Sequence, residues 1–222
     1  MLEVKNYTKT EMANILGTNT RQGIKRKLER YGVSYRISGR GEDIVFAIIE
    51  IQNEFKVFCI TDLNFDASTD FRKLQHFMYL YFNDDTFRNM PDERKAIWID
   101  ETKTHISRQT IASYTQKLEQ ENMILRKSGN YIYYFALKEN QRIVDKEEYN
   151  QAWKEYWLNR EAGMDSYEAI SIMIADYDGV ARKQAVPEIN GIYNKEIDYM
   201  LSLIQKNMEK EYAEKIKSAF KH

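Results

Sequence analysis

A chain of 222 residues with a net charge of -1 has room for one large or two small domains and no overall positive charge to drive nonspecific nucleic-acid binding. Its 43% hydrophobic and 30% charged residues suit packed cores under a solvated surface, and no apolar run approaches the roughly 20 residues of a membrane span. Cys59 is the only cysteine, so an intrachain disulfide is excluded, and within Val57-Phe58-Cys59-Ile60 it reads as a buried thiol.

In chain order, Thr8-Lys9-Thr10-Glu11 opens a first helix, with Thr8 or Thr10 as cap and Met12, Ala13, Ile15 and Leu16 as its apolar side. Gly17 ends it. After a short turn, Thr20 caps a second helix whose Ile24, Leu28 and Tyr31 fall on one face, and Gly32 suits the left-handed position beyond its end. Residues 33–37 and 44–51 read as two strands of a hairpin around Ser38-Gly39-Arg40-Gly41.

Phe71, Leu74, Met78 and Phe82 mark a strongly apolar helix, while Ala96-Ile97-Trp98-Ile99 reads equally as a short helix or a strand. Ser107 caps a further helix with Ile111, Tyr114 and Leu118 inward, and Asn122 follows as a residue that tolerates the left-handed conformation. A second hairpin is predicted from 123–127 and 131–137 around Ser128-Gly129-Asn130. A helix over 146–159 carries an aromatic stripe, Tyr149, Trp153, Tyr156 and Trp157, predicted to pack on the second domain. Another helix spans about 166–177, 179–191 with Pro187 reads as a loop, and the last helix runs from about 194 to 218. Its seam of Ile197, Leu201, Ile204, Met208 and Tyr212 either folds back on the aromatic helix or pairs with the same helix of another chain.

The chain repeats itself. Lys27-Leu28-Glu29 through Ser38-Gly39-Arg40 returns as Lys117-Leu118-Glu119 through Ser128-Gly129-Asn130, and Thr20-Arg21-Gln22-Gly23-Ile24 is answered by Ser107-Arg108-Gln109-Thr110-Ile111. Charge does not repeat with it. Residues 1–40 carry nine Lys/Arg against three Glu, whereas residues 41–103 carry seven against thirteen acids and residues 104–150 seven against six.

Helix, tight turn, helix, hairpin is a grammar that resembles the winged helix-turn-helix DNA-binding proteins of bacteria, phages and plasmids. The likeness covers residues 6–51 and about 71–137, and is carried most clearly by Tyr-Thr-Lys-Thr-Glu-Met-Ala-Asn-Ile-Leu-Gly at 7–17 and Ile-Ser-Arg-Gln-Thr-Ile at 106–111. It implies an α+β, mainly helical fold with winged helix-turn-helix domains at 1–60 and 61–144, then a helical packing or dimerisation region at 145–222.

In such domains the second helix of the pair enters the major groove with its N-terminal residues on base edges. The resemblance therefore nominates Arg21, Gln22, Lys25 and Arg26 in the first copy and Arg108, Gln109 and Ser113 in the second. Arg is able to donate two hydrogen bonds to guanine and Gln to pair with adenine, while the cap hydroxyls of Thr20 and Ser107 and the first-turn N–H groups suit a phosphate. Arg36 and Arg40 of the first hairpin and Arg126 of the second are candidates for phosphate or minor-groove contact. Asp100 and Glu101, just before the second copy's turn, would face phosphates unfavourably.

The expected partner is double-stranded DNA, with a homodimer through the C-terminal helix as a second association. The expected role is that of a cytoplasmic transcriptional regulator or replication-initiation factor of a bacterium or mobile element. Met1-Leu2-Glu3-Val4-Lys5 lacks the basic-then-apolar pattern of a secretory signal. The competing expectation is a protein-interaction factor, such as an inhibitor of a host nucleic-acid enzyme. In that reading an acidic band over 62–101, with Asp62, Asp66, Asp70, Asp84, Asp85, Asp92 and Glu93, docks a basic protein or mimics DNA. No enzyme, metal or cofactor is expected: His76, His105 and His222 have no metal-ligand spacing, and the chain carries neither a Gly-rich phosphate loop nor a Gly-x-Ser-x-Gly elbow.

Overall fold

A computed structural model describes residues 2–101, 105–137 and 140–219. The fold is α+β, 56% helical with 22% strand in two small antiparallel sheets. It divides into two compact units, one formed by the chain up to Tyr79 together with the segment from Gly191 onward, the other by Leu80–Asn190.

The first unit opens with β1 (Asn6–Thr8), α1 (Lys9–Leu16) and α2 (Arg21–Tyr31), followed by β2 (Val33–Ser38) and β3 (Val45–Ile51). Thr8 is the cap of α1: its hydroxyl accepts from the Glu11 N–H at 3.2 Å while the Glu11 carboxylate accepts from the Thr8 N–H at 2.7 Å. Such a reciprocal pair satisfies two orphan donors and is worth about 1 kcal/mol. Gly17, in the left-handed conformation, stops α1, and the Thr20 hydroxyl accepts from the Gly23 N–H at 3.0 Å to start α2. A methyl group on Gly23 would sit 2.4 Å from the Thr18 hydroxyl and 2.7 Å from that of Thr20, so the first turn of α2 closes on the interhelical turn because residue 23 lacks a Cβ.

The sheet order is β1-β3-β2, with β2 and β3 paired from Val33 opposite Ile51 to Ser38 opposite Val45. Met12, Leu16, Ile24, Leu28, Tyr31, Val33, Phe46 and Ile48 meet in one core beneath it.

An unanticipated helix, α3 (Glu54–Thr61), follows, with Asn53 accepting from the Lys56 N–H as its cap. It buries Phe55, Val57, Phe58 and Cys59, and burial pushes the Cys59 thiol well above its ordinary pKa. Next comes α4 (Phe71–Asn83), within which the two units divide.

The last helix of the chain, α10 (Asn194–Ala219), belongs to the first unit and packs on α3. Tyr199 meets Phe58 edge-on at 5.6 Å, Lys206 pairs with Glu54 at 2.8 Å, and Asn207 donates to Asn53 at 3.1 Å. Part of the seam foreseen for this helix is thus covered from within the first unit. Ile197 and Ile204 are buried within the chain and Leu201 is half-buried, because α3 supplies the covering surface that the sequence reading did not include. Met208 is exposed, and the Tyr212 side chain lies outside the described part of the structure.

In the second unit, the short α5 (Asp85–Arg88) leads to α6 (Asp92–Glu101) and α7 (Arg108–Gln120). Residues 96–99 are thus helical. Ser107 caps α7 by accepting from the Thr110 N–H at 3.2 Å, Ile99, Ile106, Ile111 and Leu118 are buried, and Asn122 adopts the left-handed conformation with φ 58°.

The predicted hairpin at Ser128-Gly129-Asn130 is absent. A single strand, β4 (Ile124–Leu137), runs through it and pairs with β5 (Asn140–Val144) and β6 (Val180–Ile189) in the order β5-β4-β6. Arg126 opposes Pro187 and Tyr131 opposes Ala185, so residues 127–130 bulge out of the pairing instead of reversing the chain. The segment read as a loop, 179–191, is mostly β6, and an edge strand tolerates Pro187.

Between β5 and β6 lie α8 (Lys146–Glu161) and α9 (Ser166–Tyr177), capped by Asp145 and Asp165. Phe135, Ala152, Met173 and Ala181 form the core they share with the sheet, Tyr149 lies 4.9 Å from Tyr133, and Tyr177 stacks on Phe135 at 5.0 Å. Trp153 and Tyr156 join this packing, but Trp157 is 58% exposed: one residue beyond Tyr156, it has rotated off the inner face.

Candidate nucleic-acid interface

In the first unit, the cap geometry of Thr20 fixes where α2 begins, so Arg21 and Gln22 project from its first turn and Lys25 and Arg26 from its second. Arg21, Gln22 and Arg26 are exposed and Lys25 is half-buried, while Ile24 and Leu28 hold the opposite face in the core. Arg36, opposite Ala47 on the hairpin, and Arg40 in its turn are exposed as well.

Polar links hold these parts together. Tyr35 donates from β2 to Glu29 of α2 at 3.0 Å, Lys27 donates to the Leu16 carbonyl at the end of α1, and Lys9 pairs with Glu42 in the hairpin turn at 2.9 Å. Arg30 lies 3.8 Å from Asp66. Lys9, Lys27 and Arg30 are therefore occupied, but among the described residues Arg21, Lys25, Arg26, Arg36 and Arg40 have no acidic partner.

The second copy places its matching residues differently. Ser107 caps α7, and Arg108, Gln109 and Ser113 are exposed on its first turns. Arg108 pairs with Glu93 of α6 at 2.9 Å, and Arg126 pairs with Glu119 at 3.3 Å. Glu93 also faces Arg182 of β6 at 4.0 Å. Arg21, Arg26, Arg36 and Arg40 of the first copy are open to a ligand, whereas Arg108 and Arg126 of the second are already opposite carboxylates.

Next to Glu93 lies a polar cluster that the sequence does not signal. The Lys95 ammonium is fully buried, donates to Asp92 at 3.2 Å and stands 5.6 Å from the centre of the Tyr81 ring. Burial lowers the Lys95 pKa against the opposing pull of Asp92. Burial, and then the charge of Glu93, push the Tyr134 phenol up to about 12.

The acidic band is largely spent on local structure. Asp70 and Asp84 accept from backbone N–H groups at helix starts, Asp66 accepts from Ser68, Asp85 pairs with Arg88, and Asp92 and Glu93 engage Lys95, Arg108 and Arg182. No group of three or more His, Cys, Asp or Glu is placed to hold a metal among the described residues, and no helix there is long and apolar enough to cross a membrane. The chain matches no protein-family model, and neither a curated protein nor a solved structure is significantly similar to it.

Proposed function

We propose that the first unit is a winged helix-turn-helix that binds double-stranded DNA without catalysing a reaction, inserting the start of α2 into the major groove and laying the β2–β3 hairpin along the backbone. The observation that carries this reading is the set of five acid-free cations, Arg21, Lys25, Arg26, Arg36 and Arg40, on one helix start and its adjoining hairpin. The strand order β1-β3-β2, with α1 and α2 between β1 and β2, supports the winged-helix assignment. Arg21 and Gln22 supply the donors suited to guanine and adenine edges, and the remaining cations suit phosphates. The biological role that fits is sequence-specific regulation of transcription or initiation of replication in a bacterium or mobile element.

Fluorescence anisotropy on a mixed-sequence duplex, repeated as salt is raised, tests this reading. Neutralising one phosphate with each of the four cations other than Arg21 gives a log-log slope of about -3.6, at about -0.9 per contact. Arg21→Ala with Lys25→Ala is expected to weaken binding and to flatten the slope by about 0.9, the share of Lys25. Absence of binding by the folded protein even at low salt sinks the proposal.

A further inference from the structure

Two guanidinium groups in the second unit converge on a single carboxylate oxygen. Oε1 of Glu93 lies 2.9 Å from Nη1 of Arg108, the first residue of α7, and 4.0 Å from Nη1 of Arg182 on β6. The carboxylate is held there. Its neighbour Asp92 donates its N–H to Gln184 at 3.2 Å and accepts from the Gln184 amide at 3.3 Å, and Gln184 stands two residues from Arg182 on the same face of β6. The start of α6 is thereby fastened to the strand that carries one arginine, with the other arriving from the start of α7.

A carboxylate and a phosphodiester offer an arginine pair the same chemistry, a localised negative charge on oxygens that accept charge-assisted hydrogen bonds. We propose that Arg108 and Arg182 form a second phosphodiester site and that Glu93 is its built-in occupant, holding the second helix-turn-helix pair out of DNA contact. The inference rests on the reading of the first unit as a DNA binder. It gives the repeat's asymmetry a cause: the second copy keeps the arginine at the helix start, and an acid from the preceding helix masks it. Gln109 and Ser113, exposed on the following turns of α7, would meet the duplex once the pair engages a phosphate.

Glu93→Gln removes the charge at constant size, and Glu93→Ala is the companion variant. Each is compared with wild type on the same duplex across a salt series, with circular dichroism and urea unfolding to establish that it is folded. Release of one or both arginines is expected to steepen the log-log slope by about 0.9 to 1.8. Adding Arg108→Gln and Arg182→Gln to Glu93→Gln is expected to remove the gain. Wild type that binds while both folded Glu93 variants keep its slope and affinity overturns the masked site and leaves the first-unit reading standing. Wild type that fails to bind while Glu93→Gln binds upholds the site and overturns the first-unit reading; failure of all three overturns both.

Discussion

The ammonium group of Lys27 donates to the main-chain carbonyl of Leu16 at 2.5 Å, so a side chain of α2 closes the last turn of α1. Carbonyls at a helix end lack intrahelical partners and carry the negative end of the helix dipole, which makes a cation the fitting donor. The bond fixes the angle between the two helices from the side opposite the exposed arginines. Lys27→Met keeps the aliphatic stem and loses the charge-assisted bond, and is expected to cost about 1–2 kcal/mol in urea unfolding. Because Lys27 is spent on this contact, its loss is expected to change the salt slope of DNA binding less than loss of Lys25 does. An equal change would place Lys27 among the phosphate contacts instead.

Gly23 offers a test in which two local effects oppose each other. Alanine gains about 1 kcal/mol of helix propensity over glycine, but its methyl group would lie 2.4 Å from the Thr18 hydroxyl and 2.7 Å from the Thr20 hydroxyl that caps α2. Displacing Thr20 forfeits a cap worth about 1 kcal/mol, and the clash adds to that. Gly23→Ala is expected to be net destabilising by about 1 kcal/mol, and adding Thr18→Ala is expected to recover part of the loss by removing the nearest atom. Equal or greater stability of the single variant in urea would show that the turn relaxes without cost.

The first helix pair and its hairpin were legible because their signals are local. The Thr8–Glu11 pair, Gly17, Thr20 and Gly32 punctuate α1 and α2 within a few residues of the backbone groups they satisfy. The parts that misled depend on distant partners. Gly179, Pro187 and Gly191 look like loop punctuation, yet the strand between them is stabilised by β4, more than forty residues upstream. Ser128-Gly129-Asn130 looks like the turn at Ser38-Gly39-Arg40, but β6 holds the second segment extended through a bulge. Short α3 hid inside an apolar run because burial on several sides erases the helical period. At the candidate interface, sequence located both helix starts through their hydroxyl caps. It did not reveal that Arg108 and Arg126 face Glu93 and Glu119, since one of those pairings joins α7 to a different helix and the other joins it to a strand.

Buried Lys95 sets a pH dependence of definite sign. Its folded pKa lies below the ordinary lysine value of 10.5, chiefly through burial, with Asp92 opposing the shift. Between those two values the unfolded chain binds more protons than the folded one, so stability rises with pH across that window. The buried Cys59 thiol and, above about pH 10, the elevated phenols of Tyr81 and Tyr134 act the other way, because the unfolded chain ionises them first. Urea unfolding of wild type is therefore expected to show a Lys95-dependent gain as pH rises toward the ordinary lysine value. Lys95→Met, which fills the same space without a charge, is expected to lose that gain while remaining at least as stable near neutrality. A variant that retains the full pH rise would assign it to another group.

Ile204 separates packing within the chain from association between chains. It is fully buried on α10, which lies against α3. Truncating a buried isoleucine to alanine leaves a cavity and costs about 2–5 kcal/mol. Ile204→Ala is expected to lower the urea midpoint of the first unit by a corresponding amount at every protein concentration, with no change in mass by sedimentation. The exposed Met208 four residues on supplies the contrast: Met208→Ala is expected to shift stability by less than about 0.5 kcal/mol. If α10 instead held two chains together, Ile204→Ala would halve the sedimenting mass and its destabilisation would diminish as protein concentration rises.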